Sequence, residues 1–551
     1  MRILLIADSF NSLTQRVQAE LRQGSHTTAF ARVTDEESVR AAVRHHRPEL
    51  VVAPMLTRRV PQDVWSAHTV LIVHPGPPGD RGPSSLDRAV QAGRTEWGVT
   101  VLQADAEMDA GPVWADVRFP VPPVGKSDLY RGEVADAAVE AVLLAVARFA
   151  SATWTPRSQQ DLEPVVAPLL RQSERRIDWH RDPTATVLRK LRAADSQPGV
   201  LDTWLGAEWH LHGGHPEDRL RGEPGALVAT RCQAVCRATA DGAVWIPQLR
   251  PRRRPGGPTT YTLPATLALA DRLPTVPEVP APPATEDGAH TYRDVHYRES
   301  GGAGFLHFTF PGGAMSTEQC ERLLAAYRYA CTRPTRVLVL GGPRDFFSNG
   351  IHLNVIEAAA HPAREAWRNI QAIDDLVEAV LTTTDRLVVA ALAGNAAAGG
   401  VMLAAAADEV WCRDGAVLNP HYRLMGLPGS EYWTYSLPRR VGAETAHTLL
   451  GAAEPVTAGA ARDLGLVDRV VASPVGDFAE EVRAMAVELA EDASLGRRLT
   501  EKKVRRAAEE SRRPLRAYRD EELAAMRAVF DDPSAAFHTL RSAFVHKTPA
   551  T

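Results

Sequence analysis

The sequence predicts an α/β multidomain protein: a parallel α/β domain first, a small β-rich domain next, and a second α/β domain at the C-terminal end. Three observations predict it. A chain of 551 residues exceeds what one core supports and implies roughly two to four domains. Short apolar strands alternate with amphipathic helices through residues 1–150, the pattern of a parallel sheet covered on both faces. In the second half, apolar strands run into two glycine-terminated turns, Phe346-Phe347-Ser348-Asn349-Gly350 and Ala398-Gly399-Gly400.

The elements follow in order. Strands are expected over Ile3 to Ala7, Leu50 to Pro54 and Thr69 to His74, and helices over Leu13 to Gln23 and Glu36 to His46. No GxGxxG follows the first strand, which argues against a dinucleotide cofactor. Arg176-Ile177-Asp178-Trp179 reads as a short extended segment. Cys232, Ala234, Cys236 and Ala238 alternate with Gln233, Val235 and Arg237, and Gly242-Ala243-Val244-Trp245-Ile246 follows a turn, so this region is β-rich. From Arg250 to Pro283 the chain is proline-rich and reads as a semi-rigid linker. Beyond it, Leu306 to Phe310 is a strand, and Ser316 with Gln319 forms a capping box for a helix through Tyr329. Trp367, Ile370, Ile373, Val377 and Val380 recur at helical spacing, as does much of the stretch from Glu480 to Lys547. The expected boundaries are 1–155, 156–265, a linker over 266–290, and 291–551.

A formal net charge of -4 with 24% charged residues gives no electrostatic reason to expect nucleic acid or an anionic membrane as partner. The Arg250–Arg254 cluster is short and broken by proline, a solvated linker more than a nucleic-acid patch. Five scattered cysteines form no disulfide framework, and Cys232 and Cys236 lack the second pair of a structural zinc site. His210, His212 and His215 are explained by strand alternation and a turn, so no metal is expected. No apolar run reaches the ~20 residues of a membrane span, and Met1 leads directly into a strand. A cytoplasmic location is expected.

Two constellations carry chemistry. In the first, strand Val70-Leu71-Ile72-Val73 delivers His74 into a Gly/Pro loop containing Arg81, Gly82, Ser84 and Ser85. The carboxyl end of a strand in an open α/β sheet is where ligands bind. Trp97-Gly98-Val99-Thr100 and Asp109-Ala110-Gly111-Pro112 follow. This pair of segments resembles folate-dependent formyltransferases. Arg176 to Trp179 with Pro198-Gly199 resembles that family's barrel-like C-terminal domain. The resemblance implies His74 and Asp109 as catalytic, with Arg81, Gly82, Ser84 and Ser85 in the binding loop. The asparagine that the family places two residues before its histidine is Ile72 here, which suggests an acceptor other than the usual amine.

In the second, Val401 to Asp408 is a strong helix former that starts at the glycines. Its first N–H groups sit at the positive end of a helix dipole, and two N–H groups converging on one carbonyl oxygen make an oxyanion hole. The arrangement resembles the crotonase (enoyl-CoA hydratase/isomerase) superfamily, which implies Ile351 and Gly399 as oxyanion donors and Gly350 and Gly400 as binding residues. On that match the two hydratase glutamates are replaced by Met402 and His421, so hydration is not supported. The run from Asn419 to Tyr435 supplies replacements: Tyr422, His421 and Glu431 for catalysis, and Tyr432 for binding. Trp433 and Tyr435 read as packing residues. Lys502, Lys503, Arg505 and Arg506 read as a solvated helix face, or as a reach to a CoA phosphate.

The fusion of the two halves resembles the HypX/HoxX hydrogenase-maturation family. That implies carbon monoxide synthesis: formyl transfer from 10-formyltetrahydrofolate to coenzyme A, then cleavage of formyl-CoA to CO and CoA. The partners implied are these small molecules and hydrogenase maturation proteins that receive CO. A bifunctional formyl/acyl-CoA enzyme of other purpose and a non-catalytic maturation scaffold are the alternatives.

Overall fold

The computed structural model describes residues 1–284 and 290–548. Residues 285–289 of the expected linker and 549–551 of the expected last domain lie outside the described residues. The chain divides into two compact units, Met1–Asp202 with His212–Gly214, and Thr203–Leu211 with His215–Thr551.

In the first unit, a six-stranded sheet runs in the order Thr27–Arg32, Arg2–Ala7, Leu50–Met55, Val70–His74, Glu96–Gln103, Val113–Pro120. The first four strands are parallel. Strand Glu96–Gln103 runs antiparallel to both of its neighbours, which corrects the expectation of a parallel sheet at this one strand. Residues 104–112 join it to Val113–Pro120, fewer than the dozen or more that a parallel crossover needs. Helices Ser12–Gln23 and Glu36–His46 form where expected, each started by a side-chain cap from Asn11 or Asp35. Strand Thr27–Arg32 has only partly buried residues because it is the sheet edge, so its apolar signal is weak. Helix Glu133–Ser151 buries an alanine- and valine-rich face in the core of this unit.

The second unit holds two parts. In the β-rich part a sheet runs in the order His215–Glu217, Ala243–Ile246, Ala234–Ala238, Leu227–Arg231. Cys232 and Gln233 are not strand residues. Their φ values of 47° and 63° make them the two-residue hairpin turn, and the strand begins at Ala234. The proline-rich stretch is more ordered than a linker: Ala265–Leu269 is a helix with Leu269 fully buried. Val279 N donates to Thr230 O, and Thr230 N to Pro277 O, both at 2.9 Å.

The larger part is built on a sheet in the order Val295–Ser300, Ala303–Phe308, Val337–Gly341, Leu387–Leu392, Glu409–Arg413, Arg469–Val471. Its last five strands are parallel. The expected capping box forms: Ser316 Oγ accepts from Gln319 N at 3.3 Å, and Gln319 Oε1 accepts from Ser316 N at 2.9 Å. A second layer positions the chemistry. Strands Phe346–Ser348, Asn395–Ala397 and Val417–Asn419 lie side by side. Their ends carry Gly350, Ala398-Gly399 and His421, three segments far apart in sequence. Helix Pro362–Thr382 covers this region, with Ile370, Ile373, Leu376 and Val377 buried in the core. The stretch from Phe478 to His546 forms four helices.

Candidate active sites

His74 ends its strand buried, with a carboxylate facing each ring nitrogen. Nε2 is 2.9 Å from Asp80 Oδ2 and Nδ1 is 3.5 Å from Asp109 Oδ1. The structure therefore brings the two sequence-predicted residues together and adds Asp80, which sequence reasoning missed. Asp109 is held in the left-handed region at φ 60°, an uncommon conformation for a non-glycine residue that concentrates at functional sites. Gly82 N donates to Asp109 Oδ2 at 3.3 Å. Gln159, also missed, ties the two loops together. Its Oε1 accepts from Gly79 N at 2.8 Å, and its Nε2 donates to Asp109 O at 3.2 Å and Gly111 O at 2.7 Å.

The remaining loop residues divide by role. Arg81 pairs with Glu107 at 2.6 Å. Ser84 and Ser85, expected to bind ligand, are buried and engaged with the protein. Ser84 Oγ accepts from Leu170 N at 3.1 Å and Ser85 Oγ donates to Pro75 O at 2.9 Å. Beside Asp109 lies a cavity of about 270 Å³, walled by Trp65, Ile72, Leu102 and Met108, with Arg58 and Arg59 also in its lining.

In the second unit the two glycine turns converge. A Cβ on Gly350 would lie 3.2 Å from Gly399 N. Gly350 itself has φ 76°, and Ala398, just before the helix Gly399–Ala405, has φ 45°. Ile351 bridges to Met315, whose N–H donates to Gly350 O at 2.9 Å. Gly400 is a packing glycine, since a Cβ there would meet Ser348 O at 2.0 Å.

Glu431 is pressed against this turn. Its Oε1 would lie 2.1 Å from a Cβ on Gly399, while Oε2 accepts from the Tyr422 hydroxyl and from Ser430 Oγ, both at 2.8 Å. One carboxylate oxygen is thus fixed by two donors and the other faces the glycines. Burial raises the Glu431 pKa, and burial followed by the Glu431 charge raises that of Tyr422. His421 is half-buried at the head of the turn Tyr422–Met425, and burial lowers its pKa. The described contacts do not bring its ring into the Tyr422–Glu431 bond. Tyr432 is fully buried in the core, with Glu378 and Arg519 the first charges acting on it. Tyr435 packs as expected, and its hydroxyl donates to Glu509 Oε2 at 2.7 Å.

Two further buried carboxyls hold this turn. Glu431 and Tyr432 have φ values of 61° and 58°, a left-handed pair that costs of order 1–3 kcal/mol per residue unless the surroundings hold it. Asp374 Oδ1 accepts from Glu431 N at 2.9 Å, and Glu522 Oε1 accepts from Thr434 N at 2.8 Å and from the Thr434 hydroxyl. Burial, then the charges of Glu431 and Glu522, raises Asp374 well above the carboxylate range, and burial lifts Glu522 to about 7. Arg519 is the cation nearest the cluster among the described ion pairs, 4.0 Å from Asp374 and bonded to Asp375 and Glu378.

Of the basic residues considered for a CoA phosphate, Lys502 is buried on Asp408 and Arg506 is engaged by Tyr435 and Glu509. Among the described residues no group of three His, Cys, Asp or Glu could hold a metal ion. Among the described residues no helix is long and apolar enough to cross a membrane.

Comparison with known proteins matches this architecture. Residues 8–146 fit the formyl transferase family, 169–257 the formyl transferase C-terminal domain, and 308–549 the enoyl-CoA hydratase/isomerase family. The chain is 47% identical to the hydrogenase maturation factor HoxX of Bradyrhizobium diazoefficiens, over 100% of this chain and 95% of that protein. The crystal structure of HypX from Aquifex aeolicus in complex with tetrahydrofolic acid superposes with a TM-score of 0.96 at 42% identity, covering 100% of this chain and 96% of that one. A methionyl-tRNA formyltransferase of Roseiflexus castenholzii is 28% identical over 42% of this chain and 75% of its own length.

Proposed function

Because the chain belongs to the HoxX/HypX family of hydrogenase maturation factors, we propose that it makes carbon monoxide in two steps: formyl transfer from 10-formyltetrahydrofolate to the thiol of coenzyme A, then cleavage of formyl-CoA to CO and CoA. In the first step, His74 and Asp109 serve the transfer from inside the first unit. The cavity beside them has an apolar wall of Trp65, Ile72, Leu102 and Met108 for a flat ring system, and Arg58 and Arg59 for an anionic tail, with the carboxylates of Glu36, Asp105, Glu107 and Asp109 also in its lining. Ile72 contributes apolar wall at the position where amine-formylating relatives carry asparagine, which fits a soft thiol acceptor. Arg81 and Gly82 shape the loop over the site.

In the second step, the N–H groups of Ile351 and Gly399 hold the formyl oxygen. Glu431 Oε1, which faces the glycines, takes the formyl proton. As the C–S bond breaks, the C–H electron pair stays on carbon to give CO, and Tyr422 protonates the departing sulfur. The Glu431–Tyr422 hydrogen bond then returns the proton to the tyrosine. The cycle needs no net proton, which suits a pair this deeply buried. A raised pKa makes Glu431 a stronger base for a weakly acidic C–H.

The observation that carries the reading is this pair lying on the thioester turn while Met402, fully buried, and His421 stand at the hydratase positions. Mixing the protein with labelled 10-formyltetrahydrofolate and CoA and trapping CO on reduced haemoglobin tests it. Label in CO that requires CoA is expected, and its absence would defeat the reading. Hydrogenase maturation proteins are the receivers of the CO, and the cytoplasm is its place of synthesis.

A further inference from the structure

Asp80 lies in the Gly/Pro loop after His74, where the resemblance to formyltransferases implies no role for it, yet it makes the shorter of the two contacts to His74. Its side chain is 6% exposed and its Oδ2 lies 2.9 Å from Nε2, whereas Asp109 stands 3.5 Å from Nδ1. The first is a hydrogen bond and the second is too long for a good one. The imidazole is therefore tied on one side and open on the other.

The backbone around this contact is built to allow it. A Cβ on Gly76 would lie 2.3 Å from Asp80 Oδ2 and 2.5 Å from His74 Nε2, so only glycine lets the chain pass directly against the bond. Asp80 and Arg81 pair in parallel with Val165 and Val166, and Gly79 N is fixed on Gln159. The open side is fixed too, because Gly82 N and the Gln159 amide hold Asp109. Side chain and backbone together hold Asp80 in place, and no other described contact of its carboxylate competes with His74.

We propose that Asp80 is the positioning residue of the formyl-transfer site: it accepts the Nε2–H of His74, fixes that tautomer, and leaves Nδ1, on the Asp109 side of the ring, unprotonated and able to accept the proton of the acceptor thiol. This rests on the formyl-transfer reading above. In the step it serves, the thiol proton passes to His74 Nδ1 as the C–S bond forms. The bond from N10 to the formyl carbon breaks, and the proton goes on to N10 of the departing tetrahydrofolate. Asp80 steadies the imidazolium in between, as a carboxylate behind a catalytic histidine does in general.

The test has a spectroscopic and a kinetic arm. Nitrogen NMR of histidine-labelled protein, with His74 identified by its loss in His74→Gln, reads the tautomer in the parental chain and needs no other variant to fold. A proton on Nε2 is expected, lost or moved in Asp80→Asn. In that variant formyl transfer should fall roughly 10²- to 10⁴-fold in kcat, while cleavage of supplied formyl-CoA is unchanged. A parental His74 protonated on Nδ1 alone, or an Asp80→Asn variant with parental tautomer and rate, would overturn the proposal. A parental protein that shows the Nε2 proton but no formyl transfer would instead defeat the functional reading.

Discussion

The Tyr422 hydroxyl donates to Glu431 Oε2 at 2.8 Å, with the two residues 5% and 1% exposed. No bulk water competes for that bond. Tyr422→Phe and Glu431→Gln should each lower CO release from formyl-CoA by roughly 10²- to 10⁴-fold, with formyl transfer intact. The double variant should be little worse than either single one, because the two act as a unit. Losses that add would mean the groups work separately.

His74→Ala and Asp109→Asn should each abolish formyl transfer and spare the cleavage of supplied formyl-CoA, since both lie in the first unit with the Asp109 carboxylate 3.5 Å from the imidazole. Chromatography of formyl-CoA formed from labelled donor measures this. Parental rates in either variant would remove that residue from the mechanism.

The adjacent glycines should behave differently. At Gly399 an added Cβ meets a side-chain oxygen of Glu431 at 2.1 Å, and at Gly400 it meets the Ser348 carbonyl at 2.0 Å. Gly399→Ala should displace the carboxyl and cut CO release by about 100-fold or more in a folded protein. Gly400→Ala pushes backbone against backbone and should lower the yield of folded protein. Circular dichroism with a CO assay separates the two outcomes.

Glu522 gives a pH-dependent stability. Burial lifts its folded pKa from 4.5 to about 7, so the folded chain holds a proton that the unfolded chain releases. Stability from this group is full below about 4.5 and declines as pH rises towards 7. Glu522→Gln keeps an acceptor for Thr434 and removes the charge. It should raise the thermal transition at pH 8 by the equivalent of about 1–3 kcal/mol and leave it nearly unchanged at pH 4. An equal effect at both pH values would show that the charge is not the cause.

Hydration of crotonyl-CoA should be undetectable. Met402 is fully buried in the core, so Met402→Glu would bury an unpaired carboxyl at a cost of several kcal/mol and should lower the melting temperature rather than create a hydratase. Measurable hydration by the parental protein would return it to the general acyl-CoA class.

Much of this was legible in the chain. The capping box at Ser316, the helices from Ser12 and Glu36 and both glycine turns follow from local spacing, which is what a sequence displays, while His74 and Asp109 were singled out by the resemblance of their segments to formyltransferases. Asp80 was not legible, because in a Gly/Pro loop no periodicity says which way a side chain points. Gln159 sits in irregular chain 80 residues from Gly79, and nothing local marks it. Glu522 left a signal that was overlooked. Leu515, Glu522, Met526 and Phe530 form one buried stripe of their helix, and a charge inside an apolar stripe demands a reason. Asp374 was hidden the same way, between Ile373 and Leu376 on the buried face of its own helix.

The turn that aims Glu431 is held by a residue synthesised much later, since Thr434 bonds Glu522 across 88 positions. A ribosome releases chain from the N-terminal end, and domains fold as they emerge. Every residue of the cleavage pair is therefore made well before the helix Leu515–Asp531 that braces it. A nascent chain stopped at Arg512 would carry the whole acid–base pair with Asp374 alone of the two carboxyls bracing its left-handed turn. Competence for the proposed release of a toxic gas thus arrives among the last acts of translation, and chains abandoned before that point should be silent.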